Sequence, residues 1–300
     1  MINKEEQVQA MTDVMAKYIA LIAKVLPDDV QAKIKELAAD EKNPLAKEIY
    51  ATMKRNMELA EELNRPSCQD TGVMQFWVKV GANYPLLGEL EEILRQATYQ
   101  ATQEAPLRHN CVETFDEFNT GKNIGLTAPY IFWDIIPDRD DVEIFPYMAG
   151  GGCSLPGSGK TLMPGEGYEG VSKFVLDLMT SYGLNACPPL LVGVGIATSI
   201  DTAALMSKKA LMRPISSKAP NERAAYMETL LEDGINALHL GPQGMGGDKS
   251  VMGVNIEHGT RHPSVISVAV NVGCWNHRRG HVVFQADGSY EILSHKGVKF

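Results

Sequence analysis

Five cysteines and three small clusters of basic residues are where this 300-residue sequence could do chemistry. Cys68 sits in Arg65-Pro-Ser-Cys-Gln-Asp-Thr-Gly72, Cys187 in Asn185-Ala-Cys-Pro-Pro189, and Cys274 in Val272-Gly-Cys-Trp-Asn-His-Arg-Arg279. Each lies where an apolar run gives way to polar and backbone-punctuating residues, the kind of loop that carries binding groups. A thiolate there is a soft metal ligand or a nucleophile. No CxxC or CxxH pair exists, so local spacing offers little to zinc, but iron–sulfur ligands can come from loops far apart in sequence. Beside that stands the plainer reading of cysteine as a small core hydrophobe. The basic clusters are Arg108-His109, Arg261-His262-Pro263 and His277-Arg278-Arg279. They suit fork-like binding of carboxylates, or simply solvated charge, and composition leaves both open.

Two apparent nucleotide motifs fail on inspection. Pro156-Gly-Ser-Gly-Lys-Thr161 ends like a phosphate-binding loop, but Ser154 stands where the pattern needs glycine, and Pro164-Gly165 interrupts the helix that should follow. Gly241-Pro-Gln-Gly-Met-Gly-Gly247 has the wrong spacing for a dinucleotide fingerprint.

The elements that must position these residues follow from periodicity. Helical spacing predicts helices over 7–25, 30–39 and from Asn43-Pro44 to about Leu63, with Asp28 or Asp29 and Asn43 as caps. Further helices are expected over 87–104, 168–182, 202–211 and 221–238. Strands are expected over 73–80, 130–136, 142–148, 190–197, 251–257, 265–272 and 281–286, with 130–136 and 142–148 flanking a Pro-Asp turn. Residues 150–167 read as a Gly-rich loop. Strands in pairs without strict βαβ alternation predict an α+β fold, a helical segment over about 1–65 packed on a mixed or antiparallel sheet. With no linker or repeat in sight, residues 1–300 are expected to form one domain.

A net charge of −9 argues against nucleic acid or an anionic membrane surface as partner. The opening residues lack the apolar centre of a signal peptide, and the longest apolar runs fall far short of a membrane span. A cytoplasmic location is expected, with the cysteines reduced.

Several long motifs, taken together and in order, carry a resemblance. Asn64-Arg-Pro-Ser-Cys-Gln-Asp-Thr-Gly72, Asn119-Thr-Gly-Lys-Asn123, Asn185-Ala-Cys-Pro-Pro-Leu-Leu-Val-Gly-Val-Gly195 and Gly273-Cys-Trp-Asn-His-Arg-Arg-Gly280 resemble the α part of the oxygen-sensitive class I fumarase and tartrate dehydratase family. Met148-Ala-Gly-Gly-Gly-Cys-Ser-Leu-Pro-Gly157 and Leu162-Met-Pro-Gly-Glu-Gly-Tyr-Glu-Gly170 are similar to its tartrate dehydratase branch. The resemblance implies a [4Fe-4S] cluster on Cys68, Cys187 and Cys274, with one iron left open as a Lewis acid. It implies substrate contacts from Gln69, Arg108 and the backbone of Gly151, and proton transfer by Asp70 or His262. Cys111 and Cys153 fall outside the ligand pattern. It further implies a hydro-lyase acting on a small hydroxy-dicarboxylate, L-tartrate giving oxaloacetate, with a separate β subunit completing the pocket in an α2β2 assembly. The alternatives are a two-subunit fumarate hydratase and a non-catalytic metal-cluster sensor or scaffold.

Overall fold

The computed structural model describes residues 3–300. Helices α1 (Lys4–Ile22), α2 (Asp28–Asp40) and α3 (Pro44–Glu62) open the chain, then strand β1 (Val73–Gly81) and helix α4 (Leu90–Glu104). Strands β2 (Tyr130–Ile136) and β3 (Val142–Ala149) lead to a one-turn helix α5 (Gly151–Ser154), strand β4 (Ser158–Leu162) and helix α6 (Gly167–Tyr182). Strand β5 (Leu190–Ala197) precedes α7 (Ile200–Ala210) and α8 (Glu222–Asn236). Strands β6 (Val251–His258), β7 (Ile266–Gly273), β8 (Val282–Phe284) and β9 (Tyr290–Ile292) complete the order. Helices and two mixed sheets make the fold α+β, as the pattern predicts. The chain divides into two compact units, the first comprising the segment ending at Asp28 with Asn56–Gly150 and Arg278–Phe300, the second Asp29–Arg55 with Gly151–His277.

The first unit is built on a sheet of order β2-β1-β3-β8-β9. Alternation along β1 sends Met74, Phe76, Val78 and Val80 into a core shared with Met15, Ile19 and Ile22 of α1 and with Leu90, Ile93 and Leu94 of α4. Each such side chain contributes about 1.5–3 kcal/mol by leaving water. An Asn3–Glu6 capping box starts α1. Strands β2 and β3 do not pair with each other, although the sequence sets them either side of a turn. Instead β1 lies between them, parallel to β2 and antiparallel to β3. The connection crosses the end of β1, where the Gly81 N–H meets the Asp141 carbonyl at 2.9 Å. A Cβ at Gly81 would collide with the Arg139 carbonyl, so only glycine lets the crossing pass. Trp77 fixes the parallel neighbour, its indole N–H on Asp134 at 2.8 Å and its ring stacked on Phe132.

The second unit is built on a sheet of order β4-β7-β5-β6. All eight residues of β5 are buried, as a continuous apolar run in a central strand should be. It pairs antiparallel with β7 and parallel with β6, α7 and α8 lying in the crossover. Gly193 and Gly195 let α7 lie directly on β5, because a Cβ at either would strike the carbonyl of Ser207 or Ala203. Asn43 caps α3, accepting from the Leu45 amide at 2.9 Å. Strand β4 runs through what reads in sequence as a Gly-rich loop; exposed Ser158 to Thr161 give it no hydrophobic signal. It places Lys160 on an edge strand, 3.7 Å from Glu166, so the lysine of the apparent phosphate loop is in no such loop. Among the described residues no helix is long and apolar enough to cross a membrane.

Candidate functional site

In the first unit the chemistry gathers on the loop between α3 and β1. Ser67 anchors it, its amide on the Ala23 carbonyl at 2.9 Å and its own carbonyl receiving the Asn56 amide at 2.8 Å. Cys68 follows, half-buried, with its Sγ 3.6 Å from Oε1 of exposed Gln69. Asp70 then folds back on the chain. Its Oδ1 accepts from the Gly72 amide at 2.9 Å and from Asn110 Nδ2 at 3.0 Å. Gly72 has φ of 79°, and a Cβ there would lie 2.9 Å from the backbone of Met148 and Ala149, so turn and sheet both demand glycine. On the other side Arg278, only 3% exposed, donates from Nη2 to the Asp70 carbonyl at 2.7 Å. Among the described residues its Nε and Nη1 have no hydrogen-bond partner, leaving a buried cation beside this loop.

The Arg108 loop is tied to the same place. Buried Asn123 donates to the Arg108 carbonyl at 3.0 Å and to Thr102 Oγ1 on α4 at 3.2 Å, and accepts from the Asn110 amide at 2.8 Å. Thr71 adds a longer bond to the Arg108 carbonyl at 3.4 Å. The backbone of Arg108 is thus held while its side chain stays exposed. Among the described residues its guanidinium has no hydrogen-bond or ion-pair partner, the condition in which a cation can take a carboxylate from solution. Gly150 borders the loop, where a Cβ would come within 3.1 Å of Asp70 Oδ2.

The second unit gathers a different set at one end of its sheet. Cys187 precedes β5 and Cys274 follows β7; those strands are antiparallel neighbours with Leu191 opposite Gly273, so both thiols lie at the same end. The Trp275 amide bonds the Cys187 carbonyl at 3.1 Å. Cys187 is exposed and left-handed, with φ of 56°. The glycine turn reaches the same end, since a Cβ at Gly152 would be 3.1 Å from the Asn185 carbonyl, which places Gly151 nearby. His262 is elsewhere. It is exposed in the loop joining β6 to β7, tied locally by the Ser264 amide to its Nδ1 at 3.1 Å. Thr198 Oγ1 bonding the Thr260 carbonyl at 2.7 Å keeps this loop at the opposite end of the sheet. The eight residues of β7 separate the two ends by roughly 23 Å at 3.3 Å per residue. The structure therefore does not bring His262 together with Cys187 and Cys274.

These thiols lie on loops, half-buried or exposed, whereas Cys111 is buried and desolvation pushes its thiol up. Among the described residues no three His, Cys, Asp or Glu side chains converge as they would around one ion. A cluster of four irons takes its thiolates on different metals and asks for no such convergence. Thiols at strand ends or on a loop, outside the core, are individually of the soft donor type that such a group takes. Sequence reasoning missed Asn110 and Asn123, although both stand within or beside quoted motifs, and it missed Lys208. Burial takes the Lys208 ammonium from its ordinary 10.5 down to about 8, with the charge of Cys153 acting in the other direction. Nothing in the sequence around Lys208 signals this.

A family model described as Fumarate hydratase (Fumerase) matches residues 12–283. The L(+)-tartrate dehydratase subunit alpha of Escherichia coli strain K12 is 57% identical over 293 residues, covering 98% of this chain and 97% of that protein. The subunit of the same name from Shigella sonnei matches to the same extent. A putative L(+)-tartrate dehydratase subunit alpha from Methanocaldococcus jannaschii is 33% identical over 273 residues, or 90% of this chain and 95% of its own length. With nearly the whole of both chains matched, and with an acid, a free guanidinium and a thiol already gathered on two linked loops, this chain belongs to the fumarate hydratase family of hydro-lyases.

Proposed function

We propose that this chain is the α-type subunit of a dehydratase acting on a hydroxy-dicarboxylate, converting L-tartrate to oxaloacetate and water, and that residues 1–300 serve as one functional α-type domain. The observation that carries the reading is the polar network of the first unit, which holds Asp70 two residues from Cys68 and joins it through Asn110 and Asn123 to the Arg108 loop. Tartrate enters from the names of the relatives, among them two described above at 57% identity. The thiolates of Cys68, Cys187 and Cys274 would hold a [4Fe-4S] cluster. Bound there, the cluster would supply an iron without a thiolate ligand, a Lewis acid able to polarise a carboxylate and a hydroxyl.

The chain's own residues do the rest. Arg108 binds one substrate carboxylate and orients the molecule, as a guanidinium with no internal partner can. Gln69 and the Gly151 backbone donate hydrogen bonds to the substrate's oxygens. Loss of water breaks a C–H bond on one carbon and a C–O bond on the next, so a proton must reach the departing hydroxyl. Asp70 carries that proton at its carboxyl group. His262 lies at the far end of its sheet from Cys274 within this chain. The enol formed becomes oxaloacetate by gaining a proton at carbon as its hydroxyl loses one. The base that removes the C–H proton belongs to a partner β subunit, in an α2β2 assembly in the cytoplasm; the word "alpha" in the relatives' names supports a partner.

The test is turnover with and without that partner. The full chain, produced anaerobically with its β subunit, should dehydrate L-tartrate with a higher kcat/KM than malate, and the chain alone should do neither. A higher kcat/KM for malate would make it a fumarate hydratase subunit, the reading that the family description itself favours. Turnover of neither substrate by the assembled, iron-loaded protein would overturn the proposal.

A further inference from the structure

A carboxylate on a loop is a poor proton carrier unless something fixes where its oxygens point. The acid at Asp70 has that support. Oδ1 receives two N–H donors, from Gly72 at 2.9 Å and from Asn110 at 3.0 Å, and the same Asn110 amide reaches the Gly72 carbonyl at 3.2 Å. Asn110 therefore bridges the carboxylate and the turn that follows it. It is itself immobilised, because its backbone amide is bound by the buried side chain of Asn123, which is anchored to Thr102 on α4. Arg278 holds the Asp70 carbonyl from the other side. With Oδ1 bound twice, Oδ2 is the oxygen turned toward Gly150, where a Cβ would come within 3.1 Å of it.

We infer that Asn110 is a positioning residue for the reaction, fixing the orientation of the Asp70 carboxyl through Oδ1. The inference rests on the proposed role of Asp70 as proton carrier and adds the group that orients it. A residue that aligns a proton carrier changes the chemical step more than binding. Asn110→Ala should lower kcat at least tenfold and leave KM within about twofold. It should also act only through Asp70, so the double variant Asn110→Ala/Asp70→Asn should be no slower than Asp70→Asn alone.

The experiment measures kcat and KM for the parent, both single variants and the double variant, using the full chain assembled with its partner. Amide hydrogen exchange at Gly72 is followed in the full chain by itself. Faster exchange at Gly72 in Asn110→Ala, with the kcat loss confined to the Asp70 background, supports the inference. Asp70→Asn with parental turnover would overturn the underlying assignment of Asp70. A slowed Asp70→Asn combined with an unchanged kcat in Asn110→Ala, or with losses that multiply in the double variant, would overturn the role of Asn110 alone. Should Asn110→Ala fail to fold, Asn110→Ser keeps a small polar group there, and the same two outcomes decide.

Discussion

Replacing Lys208 with methionine should stabilise this protein at neutral pH. Lys208 lies on α7, and burial brings its ammonium from an ordinary 10.5 down to about 8, with Cys153 offsetting part of the effect. Between pH 8 and 10.5 the unfolded chain thus binds a proton that the folded chain has given up. Stability contributed by this group rises with pH through that window and is lowest below pH 8, where the folded state must carry a desolvated ammonium. At about 1.36 kcal/mol per pH unit, the interval from 8 to 10.5 amounts to about 3 kcal/mol. Methionine keeps the unbranched stem and carries no charge. Lys208→Met should therefore exceed the parent by up to about 3 kcal/mol at pH 7, or about 6 °C in melting temperature at roughly 2 °C per kcal/mol.

The assay is urea unfolding of the full chain at pH 7, 8, 9 and 10 under reducing conditions. The advantage of the variant should be largest at pH 7, shrink from pH 8 upward and fall to roughly a quarter by pH 10. A variant less stable than the parent at pH 7, or an advantage that does not change with pH, would refute the reasoning. The first would mean that the contacts of the ammonium outweigh its desolvation. The second would mean that the gain comes from packing and not from the charge.

Two further outcomes follow from the second unit and the thiols. Glu228 is fully buried, 3.0 Å from Arg213, and also receives the amides of Ala219 and Ile256, so Glu228→Gln leaves Glu257 at 3.5 Å as the carboxylate beside Arg213 and should cost about 3 kcal/mol in urea unfolding; a loss below about 0.5 kcal/mol would show the pair to be dispensable. Serine at position 68, 187 or 274 should each lower iron and sulfide content after anaerobic reconstitution, whereas Cys111→Ser, at a buried thiol outside that set, should leave both unchanged. Equal metal content in all four variants would disprove the ligand assignment.

Much of the fold was legible because its longest elements carry strong periodic signals. The apolar run of β5, the inward alternation of β1 and the Asn43 cap all fix local structure with local means. What stayed hidden depends on tertiary neighbours. β4 is an edge strand of polar and glycine residues whose pairing with β7 alone makes it a strand. The insertion of β1 between β2 and β3 is decided by the close crossing at Gly81, which no window of sequence contains. The site divides in the same way. Asp70, Arg108 and the cysteines could be named from motifs, since their chemistry is in their residue types. Asn110 and Asn123 could not, because an asparagine becomes an organising group only when its partners are in place. The separation of His262 from Cys274 was hidden for another reason: twelve positions apart suggests proximity, but eight of the intervening residues are one extended strand.

The buried amide of Asn123 gives the sharpest measure of how far the site depends on such groups. At 3% exposure it spans α4, the Arg108 carbonyl and the Asn110 amide. Leucine has nearly its size but none of its polar atoms. In Asn123→Leu the Arg108 carbonyl keeps its longer bond from Thr71, and the Thr102 hydroxyl keeps its bond to the Thr98 carbonyl at 2.7 Å. The Asn110 amide has no such reserve and is left unpaired. One orphaned N–H costs about 1–3 kcal/mol and each of the two lost donor bonds about 1 kcal/mol, so a loss of about 3–5 kcal/mol is expected. The loss should be local as well as global. Amides from Arg108 to Asn110 should exchange faster in Asn123→Leu, while those of the β5 core exchange in step with overall stability. If stability falls by the expected amount but exchange at Arg108 to Asn110 is no faster than in the core, Asn123 merely fills space and the site is held by packing. If those amides open selectively, Arg108 and Asn110 are held in place through one buried side chain.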